Sequence, residues 1–199
     1  YTNMGLLLSE ECIHTIKIAI FEGSTKGIFK DRYEFSGSLL KQLRDVYAFI
    51  DRYNQTKSEF EGLKRIDIRE YPISAIREAL LNSIVHRDYS YSASTLISIF
   101  SDRIEIITVG GLVKGITKKD IMLGVSILRN NHLANVFYRL KLIEAYGTGL
   151  TKIIESYKNY NVTPKIEISD NAFKIVLPSI FNNINISNSV ITFNENEKK

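Results

Sequence analysis

Two runs of β-branched and aromatic residues, 12–21 (CIHTIKIAIF) and 28–35 (IFKDRYEF), flank the polar stretch 22–27. The pattern predicts a hairpin or two neighbouring strands. Between 37 and 53, Leu39, Leu40, Leu43, Val46, Tyr47 and Ile50 recur at helical spacing. They predict an amphipathic helix that starts near Ser36 or Ser38. Residues 59–69 alternate towards their end and predict a strand. Pro72 stands at the kind of position that proline tolerates, opening a helix that runs to about His86. Strands are expected at 95–100 and 103–108, with Ser101-Asp102 as a tight turn if the two pair directly. Thr117 is expected to cap a short helix through Met122. Helices near 131–140 and 150–160 follow, and then strands 164–169 and 172–177, joined at Asp170-Asn171.

Strands and helices mix here without regular βαβ alternation. The expected class is α+β: a two-layer sandwich with helices on one face of a mixed sheet. Residues 1–70 are expected to form a connecting subregion packed on a main domain at 71–180. Residues 181–199, rich in Asn, Ser, Glu and Lys, read as a flexible tail or linker. The chain opens on Tyr1 and not on Met, which suggests a fragment of a longer protein.

Composition narrows the functional classes. The 199 residues are 44% hydrophobic and 24% charged, as in an ordinary globular domain. Cys12 is the only cysteine, so no internal disulfide can form, and it is expected as a small buried hydrophobe. His14, His86 and His132 are too far apart for a helical metal pair. No apolar run reaches the ~18 residues of a membrane span. The net charge of +4 is spread along the chain, which permits contact with nucleic acid without demanding it.

The chemistry concentrates in the helix after Pro72. On a helical wheel, Ile73, Ile76, Leu80 and Ile84 form a core stripe, while Glu78, Asn82 and His86 stack on the opposite side. A carboxylate and a carboxamide one turn apart can share one Mg²⁺ or one water. The bland alternative is a solvent-facing stripe of polar residues. Two glycine corners tilt the balance. Gly110-Gly111 ends a strand, and Gly147-Thr148-Gly149 precedes a helix. Glycines there let backbone amides approach a phosphate.

The order of a Glu/Asn helix, a strand ending in glycines and a glycine-opened helix resembles that of the GHKL ATPases (gyrase, Hsp90, histidine kinase and MutL type). More specifically, residues 72–177 resemble the RecG C-terminal-like helicase-related family, a divergent GHKL-like (Bergerat-like) domain. The residues that carry this are Arg77-Glu78-Ala79-Leu80-Leu81-Asn82, His86-Arg87-Asp88-Tyr89-Ser90, Asp102-Arg103-Ile104-Glu105-Ile106, Gly110-Gly111-Leu112, Arg129-Asn130 and Glu144-Ala145-Tyr146-Gly147-Thr148-Gly149-Leu150. The resemblance implies ATP and Mg²⁺ as cofactors, with Asn82 as the magnesium ligand and Glu78 as the general base. It places Gly110 and Gly111 in a first glycine box, and Gly147, Thr148 and Gly149 in a second, beside the triphosphate. It further implies a bacterial, cytoplasmic, DNA-associated transcriptional regulator that contacts DNA through a domain absent from this chain.

Thr108-Val109 stands where GHKL enzymes place an adenine-reading aspartate. This keeps a second reading open, a scaffold that has lost its nucleotide and serves to position or dimerise a DNA-binding domain. A helicase motor is not expected, because no G-x-x-x-x-G-K-[ST] run exists. A kinase loop is not expected at His86-Arg87-Asp88, because Ala93 stands where that motif needs asparagine. His86, Arg87 and Asp88 are expected to end the helix and organise a local hydrogen-bond network.

Overall fold

A computed structural model describes residues 2–144 and 147–181. Residues 182–199 of the tail expected at 181–199, together with Tyr1 and the pair Ala145-Tyr146, lie outside the described residues. The elements run α1 (Asn3–Leu7), β1 (Ile16–Glu22), β2 (Ile28–Phe35), α2 (Leu39–Tyr53), β3 (Thr56–Glu61), β4 (Lys64–Arg69), α3 (Ile73–Val85), β5 (Thr95–Ile99), β6 (Arg103–Val109), α4 (Lys118–Met122), α5 (Asn131–Arg139), α6 (Gly149–Glu155), β7 (Lys165–Ile168) and β8 (Ala172–Pro178).

Six strands form one sheet in the order β2-β1-β5-β6-β8-β7. β1 and β5 are parallel, and the other pairs are antiparallel. The early strands β1 and β2 thus share a sheet with the later ones. Alternate residues Ile16, Ile18 and Ile20 of β1, Ile97 and Ile99 of β5, Ile104 and Ile106 of β6, and Ile175 and Leu177 of β8 are buried. They form one apolar cluster with the helices. The chain is an α+β sandwich with a mixed sheet, as its patterning predicts.

The helix α2 starts where Ser38 accepts a hydrogen bond from the Lys41 amide, an N-cap that satisfies one orphan donor. Its Leu39, Val46 and Ile50 are buried. So is Gln42, whose side-chain amide donates to the carbonyls of His14 and Gly37 at 2.7 Å each, tying the entry of β1 to α2.

The stretch 59–69 is not one strand but the end of one strand, a turn and the whole of its partner in a hairpin. β3 and β4 form a separate two-stranded sheet, turning at Gly62-Leu63 with Glu61 opposite Lys64. Gly62 supplies the positive φ (62°) that a two-residue turn requires.

The central helix α3 departs from its predicted stripe. Ile76, Leu80 and Ile84 are buried, but Ile73, at the first helical position, is 46% exposed. Ala75, Ala79, Leu81, Ser83 and Val85 are buried as well. The helix packs on β6 and β8 below and on α2 and α6 at its sides. A helix covered on several sides buries far more than one stripe.

Candidate functional site

Glu78, Asn82 and His86 face a cavity of about 130 Å³ and do not form a solvated stripe. Its lining includes Gly110, Gly111, Gly147, Thr148 and Gly149. Every residue expected at the site therefore comes together around one space. Glu78 is only 9% exposed.

Within α3 the Asn82 carboxamide donates Nδ2 to the Glu78 carbonyl at 2.8 Å. Among the described residues Oδ1 has no hydrogen-bond donor, leaving a neutral acceptor one turn from a carboxylate. Glu78 Oε1 is held by the neighbouring Arg77, whose other terminal nitrogen donates to the Leu142 carbonyl at 2.5 Å. Burial pushes the Glu78 carboxyl above its usual range, against the opposing pull of Arg77 and Lys152. Lys152 pairs with Glu144 at 2.6 Å at the same mouth.

The glycines approach from two sides, and their roles differ. A Cβ on Gly149 would fall 2.9 Å from Asn82 Nδ2 and 3.1 Å from Glu78 Oε2, so this glycine lets α6 sit directly on the acid and amide. A Cβ on Gly111 would meet the carbonyl oxygens of Ser169 and Asp170, each at 2.4 Å. Gly110 (φ 103°) presses on the backbone of Asp88, and Gly147 (φ 68°) on the carbonyl of Gly124. These three glycines let backbones of the fold pass close to one another. The expected helix 150–160 is the seven-residue α6, so its dipole adds little and Lys152 carries the positive charge at this corner.

The cavity also has apolar walls, with Leu81, Val85, Ile121 and Phe173 among them. Thr108 does not reach it. This residue is 2% exposed, and its hydroxyl donates to the Ser83 carbonyl at 3.1 Å. The strand end therefore offers no carboxylate to the space. Asp88 is already committed. It accepts from Ser90 and pairs with Arg129 at 2.9 Å, while Arg129 also donates to the Gly111 carbonyl at 3.0 Å. Asn130 donates to the carbonyls of Val85 and Arg87. Arg87 is 2% exposed and donates to Thr95 and Ala93. The His86-Arg87-Asp88 and Arg129-Asn130 motifs are thus one network that clips the end of α3 to the first glycine corner. His86 caps α3, and burial followed by the Arg129 charge lowers its pKa.

The donor set fits a hard cation: one carboxylate and one amide oxygen without a protein partner, beside a lysine suited to phosphate. Among the described residues, no group of three or more His, Cys, Asp and Glu side chains could hold a metal by itself. Sequence reasoning missed Arg77, Glu144 and Lys152 as members of the mouth. Lys152, three residues into the turn opened by Gly149, was the one within reach, since it shares the face of that first turn.

The mixed sheet thus carries a helix-walled cavity between two glycine corners. Residues 93–177 match the family described as "Putative ATP-dependent DNA helicase recG C-terminal". The matched stretch contains both glycine corners but begins after α3, so Glu78 and Asn82 lie outside it. The chain is also similar to a solved structure, the DIP2311 protein from Corynebacterium diphtheriae, with 26% identity and a TM-score of 0.80. That match covers 89% of this chain and 37% of the other, so the chain spans little more than a third of that protein. No curated protein matches the chain. None of the described helices is long and apolar enough to cross a membrane.

Proposed function

We propose that this domain binds a magnesium–nucleotide, with ATP as the expected ligand, in the cavity between α3 and the two glycine corners. The observation that supports this most is the close seating of Gly149 on Glu78 and Asn82, which sets an acid, a free amide oxygen and Lys152 around one mouth. Asn82 Oδ1 would hold the cation, and Lys152 would face a phosphate. The cation would neutralise the phosphate charge. Gly110, Gly111, Gly147 and Thr148 complete the walls. The apolar walls would receive the base by packing alone, because Thr108 and Asp88 are engaged elsewhere.

The cavity of about 130 Å³ is smaller than the ~300–1,000 Å³ of pockets that enclose whole ligands. A complete nucleotide therefore needs the segment 112–128 to swing outward. Glu78 stands where a general base would act on water, and burial raises its pKa, which favours taking up a proton. In the longer protein the domain would serve a DNA-associated, RecG-related regulator, with contact to DNA made elsewhere.

The scaffold reading is favoured by the small cavity and by three glycines that serve backbone packing. A thermal-shift series separates the two. With millimolar Mg-ATP the parent should melt higher, and Asn82→Ala should lose that gain while melting normally without ligand. A parent unmoved by Mg-ATP leaves only the scaffold.

A further inference from the structure

Among the described residues, the six-stranded sheet ends on one side in a long strand with no further strand beside it. β2 pairs with β1 alone, has eight residues and is exposed along its length up to Phe35. The opposite edge, β7, has only four residues. A long open edge is a template for another strand.

The charges along β2 say which strand fits. The Arg32 amide donates to its own neighbour's carboxylate, Asp31 Oδ1, at 2.7 Å. It therefore points away from β1, and by alternation Arg32 and Glu34 present their backbone groups to the free edge. Two copies related by a two-fold axis through an antiparallel seam must place one residue opposite itself. With Arg32 on the axis, two guanidinium groups would collide. With Asp31 there, Lys30 would face Arg32. With Tyr33 on the axis, Arg32 of each copy falls opposite Glu34 of the other, and these are the residues whose backbone groups face outward. Tyr33 also belongs to an aromatic cluster with Phe49, at 4.5 Å between rings, and through it with Phe35 and Tyr53. The two clusters would meet across the axis.

We propose that β2 is a homodimer seam, pairing antiparallel with β2 of a second copy about Tyr33 and joining the two sheets into one. The pairing is independent of any ligand in the cavity. Cross-strand ion pairs between Arg32 and Glu34 fix its register.

The test uses the 199-residue chain in sedimentation velocity at a concentration on the order of 100 μM. The parent should sediment as a dimer that weakens with salt. Arg32→Glu sets like charges opposite each other on both sides of the axis, and the dissociation constant should rise about tenfold or more. The double reversal Arg32→Glu with Glu34→Arg should restore the dimer, since the half-exposed Lys17–Glu34 pair at 3.6 Å contributes little. Opposed residues at such a non-hydrogen-bonded position lie ~4.5 Å apart, within disulfide reach. Tyr33→Cys should therefore run as a covalent dimer after mild oxidation. A monomeric parent, an uncrosslinked Tyr33→Cys protein, or a double reversal no better than the single one would each overturn the proposal.

Discussion

Replacing Gly149 by alanine should separate ligand binding from folding. Gly149 is the first residue of α6 and has no positive φ, so alanine is conformationally acceptable and gains up to ~1 kcal/mol of helix propensity. Its Cβ would fall 2.9 Å from Asn82 Nδ2 and 3.1 Å from Glu78 Oε2. Both atoms end flexible side chains and can rotate aside, at about 0.5–1.5 kcal/mol each if they leave their rotamers. The net change in stability should stay within about 2 kcal/mol. Binding should suffer far more, because the Asn82 bond to the Glu78 carbonyl breaks and the two donors no longer share one geometry. Affinity for Mg-ATP should fall at least about tenfold, equivalent to ~1.4 kcal/mol. Gly111→Ala provides the contrast. Its Cβ would meet two backbone carbonyl oxygens at 2.4 Å, which cannot swing away, so the fold itself should lose about 1–3 kcal/mol or more. Thermal denaturation and calorimetric titration of both variants decide the matter. A Gly149→Ala protein that binds Mg-ATP as tightly as the parent, or a Gly111→Ala protein that melts with it, would refute the reasoning.

Arg129→Ala removes the 2.9 Å pair with Asp88 and the 3.0 Å bond to the Gly111 carbonyl, and should cost about 2 kcal/mol in chemical denaturation. Asp88 is held below its usual pKa, first by the Ser90 hydroxyl and less by Arg129, so its contribution is complete above the ordinary carboxylate value and is lost as pH falls through the lower folded value. Asp88→Asn should therefore be less stable than the parent at pH 7, with the difference fading well below pH ~4 in pH-dependent melts. Glu78 has the opposite sign. Its pKa is raised by burial, so its ionisation costs stability as pH climbs from the unfolded to the folded value. Glu78→Gln should melt above the parent at pH 7 and lose that advantage near pH ~4. An equal or lower melting point at neutral pH would mean that the Arg77 pair outweighs burial.

Much of the fold was legible because its elements carry their own local signals. Of the two serines expected near the start of α2, Ser38 is the cap, and Thr117 caps α4 as expected, in a full capping box with Asp120. The 101–102 turn closes a hairpin, with the Phe100 amide donating to the Arg103 carbonyl at 2.9 Å. The β3–β4 turn was missed because Gly62 sits among charged residues that alternate continuously on either side of it. The wide burial of α3 was illegible because alanine and serine carry no periodic signal, and only the packing of α2, α6 and the sheet reveals them as core. At the site, the Glu78–Asn82 spacing and the glycines could be read in advance. Their meeting around one cavity could not, since it depends on contacts some 70 residues apart in the chain, such as Asn82 with Gly149. The commitment of Thr108 and Asp88 to internal partners likewise depends on long-range packing.

The central claim is that a cation bound with nucleotide sits beside the Asn82 amide. Side-chain amide resonances in a ¹⁵N-labelled protein can report this directly, with Mn²⁺ as a paramagnetic substitute for Mg²⁺. The Asn82 signal, assigned by its loss in Asn82→Ala, should broaden when Mn²⁺ and ATP are added together and stay sharp with either alone. An Asn82 signal that remains sharp at saturating Mn²⁺ and ATP would contradict the account.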